Sequence, residues 1–286
     1  MSELTEAYEE CRRITLREAK NFYYAFITLP RRKRYAIYAA YTFCRICDDI
    51  ADGDQAPDAK LGSLQDVRED LARAYAGQAQ SPVYLALADA ASAYDIPEQH
   101  FRDVVTGVEM DLTKTSYQDF DELYTYCYHV ACAVGLVCLQ VFGYSNDKAK
   151  DYAIDLGLAM QLTNILRDVE EDLVRGRVYI PQDEMDRFGY TLDDLRAGTM
   201  NGPFTDLMAF QVERARRHFD EGFRLLPLLS ARSRGCPAVL GAIYRRILEK
   251  IEARSYNVFQ ERVSLGRGEK GWVTLRTWVK SLLPTL

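Results

Sequence analysis

The chain has 286 residues, 48% hydrophobic and 27% charged, a globular composition that excludes a disordered or fibrous protein. Its 36 Lys and Arg against 42 Asp and Glu leave a net charge of −6, so nothing general in it attracts nucleic acid, and a polyanion would need a local basic site. Nine Pro and 17 Gly, thinly spread through stretches rich in Ala, Leu, Arg and Glu, favour an all-α protein over a sheet-rich one.

Met1 to Glu10 is acidic and lacks the basic and apolar regions of a secretory signal, so the chain is expected in the cytoplasm. Helical periodicity then predicts blocks over 3–21, 31–52, 63–77, 82–93, 98–112, 119–142, 147–173, 204–226 and 236–262, and no alternating strand. The breaks fall at ordinary turn signals, including 175–181 and Gly235 to Pro237, and none is long enough for a linker. A single helical domain over 1–286 is therefore expected. The apolar run from Val130 to Phe142 is too short to cross a bilayer. Arg31 to Arg34 reads as a solvated helix start. The seven scattered cysteines read as reduced core thiols; Cys44 and Cys47 form a C-x-x-C, but no second pair accompanies them.

Two acidic motifs carry the chemistry. Within 41–52, Tyr41, Arg45, Asp48 and Asp52 fall in a sector of roughly 60 degrees on a helix, opposite Phe43, Ile46 and Ile50. About 120 residues later, Gln161, Asp168 and Asp172 share a face, flanked by Asn164 and Glu171. Carboxylates four residues apart on a helix repel. A divalent cation removes that repulsion, and magnesium is typically held by one or two carboxylates plus substrate phosphates. Two facing D-x-x-x-D helices can therefore grip a diphosphate without a Gly-rich loop, and neither P-loop nor dinucleotide-binding signatures are present. The competing reading of each motif alone is a solvated acidic stripe.

The segments YTFCRICDDIAD (41–52), GVEMDL (107–112), YCYHVACAVG (126–135), LAMQLTNILRDVEED (158–172) and GRVYIPQDEM (176–185) together resemble the squalene and phytoene synthase family, head-to-head prenyl diphosphate synthases with an all-α isoprenoid synthase bundle around a central cavity. The resemblance implies Asp48, Asp52, Asp168 and Asp172 as magnesium ligands, with manganese as a substitute. It implies Arg45 and Arg177 on the diphosphates, Tyr41, Tyr126 and Tyr179 near the reacting groups, and Phe22, Gln161 and Asn164 along the substrate. Ala19 to Asn21 departs from the family's serines, leaving Asn21 and Lys20 as donors. The expected reaction joins two farnesyl diphosphates into presqualene diphosphate, on the strength of the squalene-like FCRICDDIAD and KNFYYAF. The alternative is phytoene synthesis from geranylgeranyl diphosphate, and the remote one a non-catalytic prenyl-lipid-binding protein. Use of NADPH and the oligomeric state stay open.

Two further expectations concern the surroundings of the site. The cavity floor is expected among Ile37, Val134, Leu158 and Leu162. The C-terminal 272–283, with Trp and Leu beside Arg276 and Lys280, reads either as a peripheral membrane contact or as a helix packed on the bundle.

Overall fold

The structure is a computed structural model that describes residues 2–19 and 22–283. Its helices are α1 (Glu3–Glu18), α2 (Phe22–Phe26), α3 (Arg31–Asp52), α4 (Pro57–Tyr75), α5 (Pro82–Ala93), α6 (Glu98–Thr113), α7 (Phe120–Cys127), α8 (Ala133–Phe142), α9 (Lys148–Arg167), α10 (Val169–Val174), α11 (Gln182–Phe188), α12 (Leu192–Arg196), α13 (Gly202–Gly222), α14 (Ala231–Ala253) and α15 (Arg267–Ser281). A π turn, Tyr128–Cys132, joins α7 to α8, and a 3-10 segment, Phe223–Leu228, follows α13. Among the described residues, β pairing is confined to two isolated bridges, so the all-α expectation holds.

Helix α9 lies at the centre, packed against α8, α13 and α14. Its contacts are close because glycines remove side chains where helices cross. A Cβ at Gly157 would meet Cys132 Cα at 3.0 Å, and one at Gly222 would meet Leu156 backbone at 2.7 Å. Helix starts follow local chemistry. Asp119 accepts from the Glu122 amide at 2.9 Å, Asn201 from Phe204 at 3.0 Å, and Thr191 with Asp194 forms a capping box. All seven cysteines are free, as the scattered pattern implies.

Four sequence expectations need correction. The predicted block 147–173 is two helices, because the backbone at Asp168 leaves helical geometry (φ −104°, ψ 18°). The Gly235 to Pro237 break does not exist: α14 begins at Ala231 and runs through Pro237. Gly235 is required there for close approach, since a Cβ would meet the Trp278 ring at 2.8 Å. That helix stops at Ala253 rather than 262, because Ser255 (φ 52°) and Tyr256 (φ 62°) take up the left-handed conformation and turn the chain back. Lys33 is not a solvated cation; its Nζ donates to the Phe142 carbonyl at 2.7 Å and Ser233 Oγ at 2.9 Å, tying α3 to α8 and α14. The helical run Phe120–Phe142 is long and apolar enough to match a bilayer, yet its second half lines an internal cavity.

Candidate active site

Helices α2, α3, α6, α8, α9 and α14 surround an apolar cavity of about 460 Å³. Its wall comes from positions spaced by helical turns, such as Ile37, Ala40 and Cys44 on α3 and Val134, Gly135 and Cys138 on α8. Ile37 and Val134 thus line it as expected. Leu158 and Leu162 do not; both are buried in helix packing instead. Phe22, Phe26 and Tyr41 form an aromatic collar, with ring centroids 6.0 to 6.1 Å apart.

Arg45, Asp48, Asp111, Tyr126, Gln161 and Asn164 border both this cavity and a polar chamber of about 440 Å³. All four motif aspartates line the chamber: Asp48 and Asp52 from α3, Asp168 and Asp172 from the α9–α10 break. The break is bridged by the Asp172 amide donating to the Asp168 carbonyl at 2.8 Å, which keeps both side chains on the chamber despite the lost helical phase. Arg177 and Tyr179 also arrive as expected. Their segment is held when the Val178 amide donates to the Thr115 carbonyl at 2.8 Å and the Gln182 amide to the Tyr117 carbonyl at 3.0 Å. Asn21 lies outside the described residues, as does Lys20.

Three groups escape sequence reasoning. Asp111, a lone carboxylate within GVEMDL, accepts from Tyr179 Oη at 2.7 Å and Tyr126 Oη at 3.1 Å, and its carbonyl accepts from Arg177 at 3.0 Å. It thereby orients the stacked Tyr126 and Tyr179 rings, whose centroids are 5.1 Å apart. Arg262 donates to both Asp168 oxygens at 2.8 and 3.0 Å, delivered by the left-handed turn after α14. Tyr244 on α14 lines the cavity and its ring faces Phe22 at 6.3 Å. Only Asp111 carried a signal, by sitting in a segment already singled out. Arg45 reaches the chamber but its Nε donates to Asp49 at 2.7 Å, a partner outside the expected set.

The carboxylates differ in charge state. Burial pushes Asp48 up to about 6, with Asp52 and Asp111 adding repulsion against the pull of Arg45. Burial and then the neighbouring Asp168 push Asp172 up to about 7. Burial raises Asp111 too. Asp168 is also buried, but hydrogen bonds from Arg167 (2.7 Å) and Arg262 outweigh burial and hold it below the usual carboxylate range.

The donor set fits a hard divalent cation. The chamber offers carboxylate and amide oxygens, Asn164 Oδ1 is buried without a partner, and Asp48 and Asp172 are pushed above the usual carboxylate range, so a cation beside them would stabilise their charged forms. Among the described residues no three His, Cys, Asp or Glu side chains converge into a closed cage. An ion there completes its shell with water or substrate oxygen, as magnesium usually does. Asp48 and Asp52 would hold it on one wall, Asp168, Asp172 and Asn164 on the other. Five arginines face five aspartates across the chamber. A bare diphosphate meets the carboxylates and a bare cation the guanidiniums, whereas together each screens the other's repulsion.

Known proteins place this arrangement in a class. The family description Squalene/phytoene synthase matches residues 16–269. A 15-cis-phytoene synthase from Synechococcus elongatus is 40% identical over 274 residues, 92% of this chain and 89% of that protein. A phytoene synthase from Mycobacterium bovis is 39% identical over 285 residues, 99% and 94% of the two chains. Among solved structures, a dehydrosqualene synthase in complex with ligand superposes with a TM-score of 0.90 at 30% identity, covering 98% of both chains. The squalene synthase HpnC from Alicyclobacillus acidocaldarius gives 0.85 at 32%, covering 89% of this chain and 96% of that one. The chain belongs to the squalene/phytoene synthase family, prenyltransferases that condense prenyl diphosphates head to head with the help of magnesium.

Proposed function

We propose that the chain joins two geranylgeranyl diphosphates head to head on the way to phytoene. The observation that carries the reading is the likeness, near 40% identity over almost the whole chain, to proteins named phytoene synthase from bacteria and, at 39% over 291 residues, from Arabidopsis thaliana. This moves the weight away from the farnesyl expectation. The cavity lining suits a hydrocarbon chain, with Ile37, Val104, Val134, Leu139, Leu156 and Leu240 among its walls. Each additional CH₂ that finds room contributes about 0.8 kcal/mol.

Arg45, Arg177 and Arg262 bind and orient the diphosphates in the chamber, and Gln161 and Asn164 hold the allylic end at the cavity mouth. When bound, magnesium supplies Lewis-acid neutralisation of the charge that develops on the leaving diphosphate. Heterolysis of the allylic C–O bond leaves its electron pair on the diphosphate and a carbocation in the apolar cavity. The walls exclude water, and the ring faces of Phe22, Tyr41 and Tyr126 stabilise positive charge. The double bond of the second substrate, which keeps its own diphosphate, attacks that cation, and the cyclopropane closes as a proton passes to the released diphosphate.

A second reading, condensation of two farnesyl diphosphates, draws support from FCRICDDIAD and from the likeness to the squalene and dehydrosqualene synthase structures. The test is an equimolar mixture of both diphosphates with magnesium, with and without NADPH, and mass spectrometry of the products. Phytoene in excess is the expected result. Presqualene diphosphate or squalene in excess transfers the assignment to the second reading.

A further inference from the structure

Helix α15 carries an apolar surface that the bundle does not cover. At 100 degrees per residue, Trp272, Leu275, Trp278 and Val279 occupy one sector of roughly 120 degrees, Leu282 and Leu283 follow the helix end, and all six are exposed, Trp272 by 64%. The opposite side, with Thr274, Thr277 and Ser281, turns towards the protein, where Ser281 is buried and Gly235 of α14 makes room for the edge of Trp278. The helix is therefore both packed on the bundle and apolar outward. The two expectations for this segment are not exclusive.

Charge separates the partners this surface could take. The whole chain is at −6, yet α15 carries Arg267, Lys270, Arg276 and Lys280 against Glu269 alone. Glu269 is directed inward, pairing with Arg246 and Lys250 of α14 at 3.1 and 2.5 Å. Arg276 and Lys280 lie along one edge of the apolar stripe. A second copy would set these like charges against each other, whereas an anionic lipid surface complements them and accepts the apolar face between its headgroups.

The position of α15 in the fold adds a second argument. The helix packs on α2 and α14, and both are cavity walls: Phe22 and Phe26 from α2, Cys236, Pro237 and Leu240 from α14. Tyr23 on α2 and Ile27 just after it are exposed. The α2–α14 wall of the cavity thus adjoins the helix that carries the apolar stripe.

We propose that the exposed face of α15 docks the enzyme on an anionic bilayer, so that the α2–α14 wall of the cavity is held next to lipid. The proposal takes from the proposed function only that the ligands carry long hydrocarbon chains, and its test uses no substrate. Trp272 and Trp278 are the only tryptophans in the chain, so intrinsic tryptophan fluorescence reports on this helix alone. Titrating the full-length protein with vesicles of phosphatidylcholine plus phosphatidylglycerol should shift the emission to the blue and, with brominated lipid, quench it. Pure phosphatidylcholine should bind far more weakly. Arg276→Gln with Lys280→Gln should weaken binding to the anionic vesicles by about thirtyfold, and Leu275→Glu should abolish it. Turnover of detergent-dispersed substrate should stay unchanged in both, since none of these residues lines the cavity or chamber. Absence of any vesicle-dependent shift overturns the proposal. So does a blue shift that follows protein concentration without vesicles, which assigns the face to a second copy.

Discussion

The two aspartate motifs share a spacing and little else. On α3 the motif stands on one unbroken helix, and desolvation weakens the preference of the chamber-lining Asp48 for its charged form. At the α9–α10 break Asp168 is gripped by Arg167 and Arg262, while Asp172, one turn later, is driven up to about 7. Spacing decides where the carboxylates stand; the neighbours brought by the fold decide whether they are ionised before metal arrives. On the first wall Arg45 opposes the desolvation of Asp48 without reversing it, whereas on the second the hydrogen bonds of two arginines converge on Asp168 and not on Asp172.

Substitution separates the walls most sharply. Asp48→Asn and Asp168→Asn should each lower turnover by about a hundredfold or more, as for loss of a group that stabilises developing charge. Their stabilities should part. Asp48→Asn removes a carboxylate whose charge desolvation and the neighbouring Asp52 and Asp111 disfavour, so the metal-free melting temperature should hold or rise. Asp168→Asn takes the carboxylate from the buried Arg167 and leaves Arg262 with Glu171, and should cost about 1–3 kcal/mol. Equal melting shifts in the two variants would break the comparison.

Binding of magnesium and of inorganic diphosphate should be coupled, each raising the other's affinity by about 5-fold to 150-fold in calorimetric titrations. Arg177→Gln and Asp52→Asn should each reduce that coupling, from opposite sides of the balanced chamber. Independent binding of the two would show that the walls do not communicate through charge.

Stability should respond to pH in a direction set by the raised carboxylates. Asp48 and Asp172 hold protons more tightly in the folded chain than at the unfolded value of about 3.9. Their contribution is complete below that value and is lost as pH rises through 6 and 7. The metal-free protein should therefore melt at a lower temperature at pH 8 than at pH 5. Magnesium should restore more stability at pH 8, and Asp48→Asn with Asp172→Asn should flatten the profile. Asp168 works oppositely, its contribution fading only as pH falls through its depressed value.

The smallest effect is expected from Tyr179→Phe. It removes one of the two hydroxyls on Asp111 and should lower stability by about 0.5–1.5 kcal/mol in denaturant titrations.

Much of the site was legible because helical periodicity is local. Residues 31–52 form the helix that their pattern predicts, and Tyr41, Arg45 and Asp48 project from it to the cavity as a 100-degree rotation requires. What stayed hidden depends on contacts distant in sequence. Arg262 meets Asp168 across 94 positions, by way of two left-handed residues that no propensity marks. Asp111 gains its meaning only from Tyr126 and Tyr179. The break at Asp168 occurs within a pattern that otherwise continues, and its carboxylate is where two arginines converge.

The π turn Tyr128–Cys132 sets the phase between two halves of one wall. Upstream, Tyr126 must point to Asp111; downstream, Val134 and Cys138 must point to the hydrocarbon. A π turn inserts one residue more than an α turn, so deleting a residue there would rotate one half against the other by about 100 degrees. Either the tyrosine or the apolar stripe would then face the wrong way. That single turn keeps the polar and the greasy ends of the site in register.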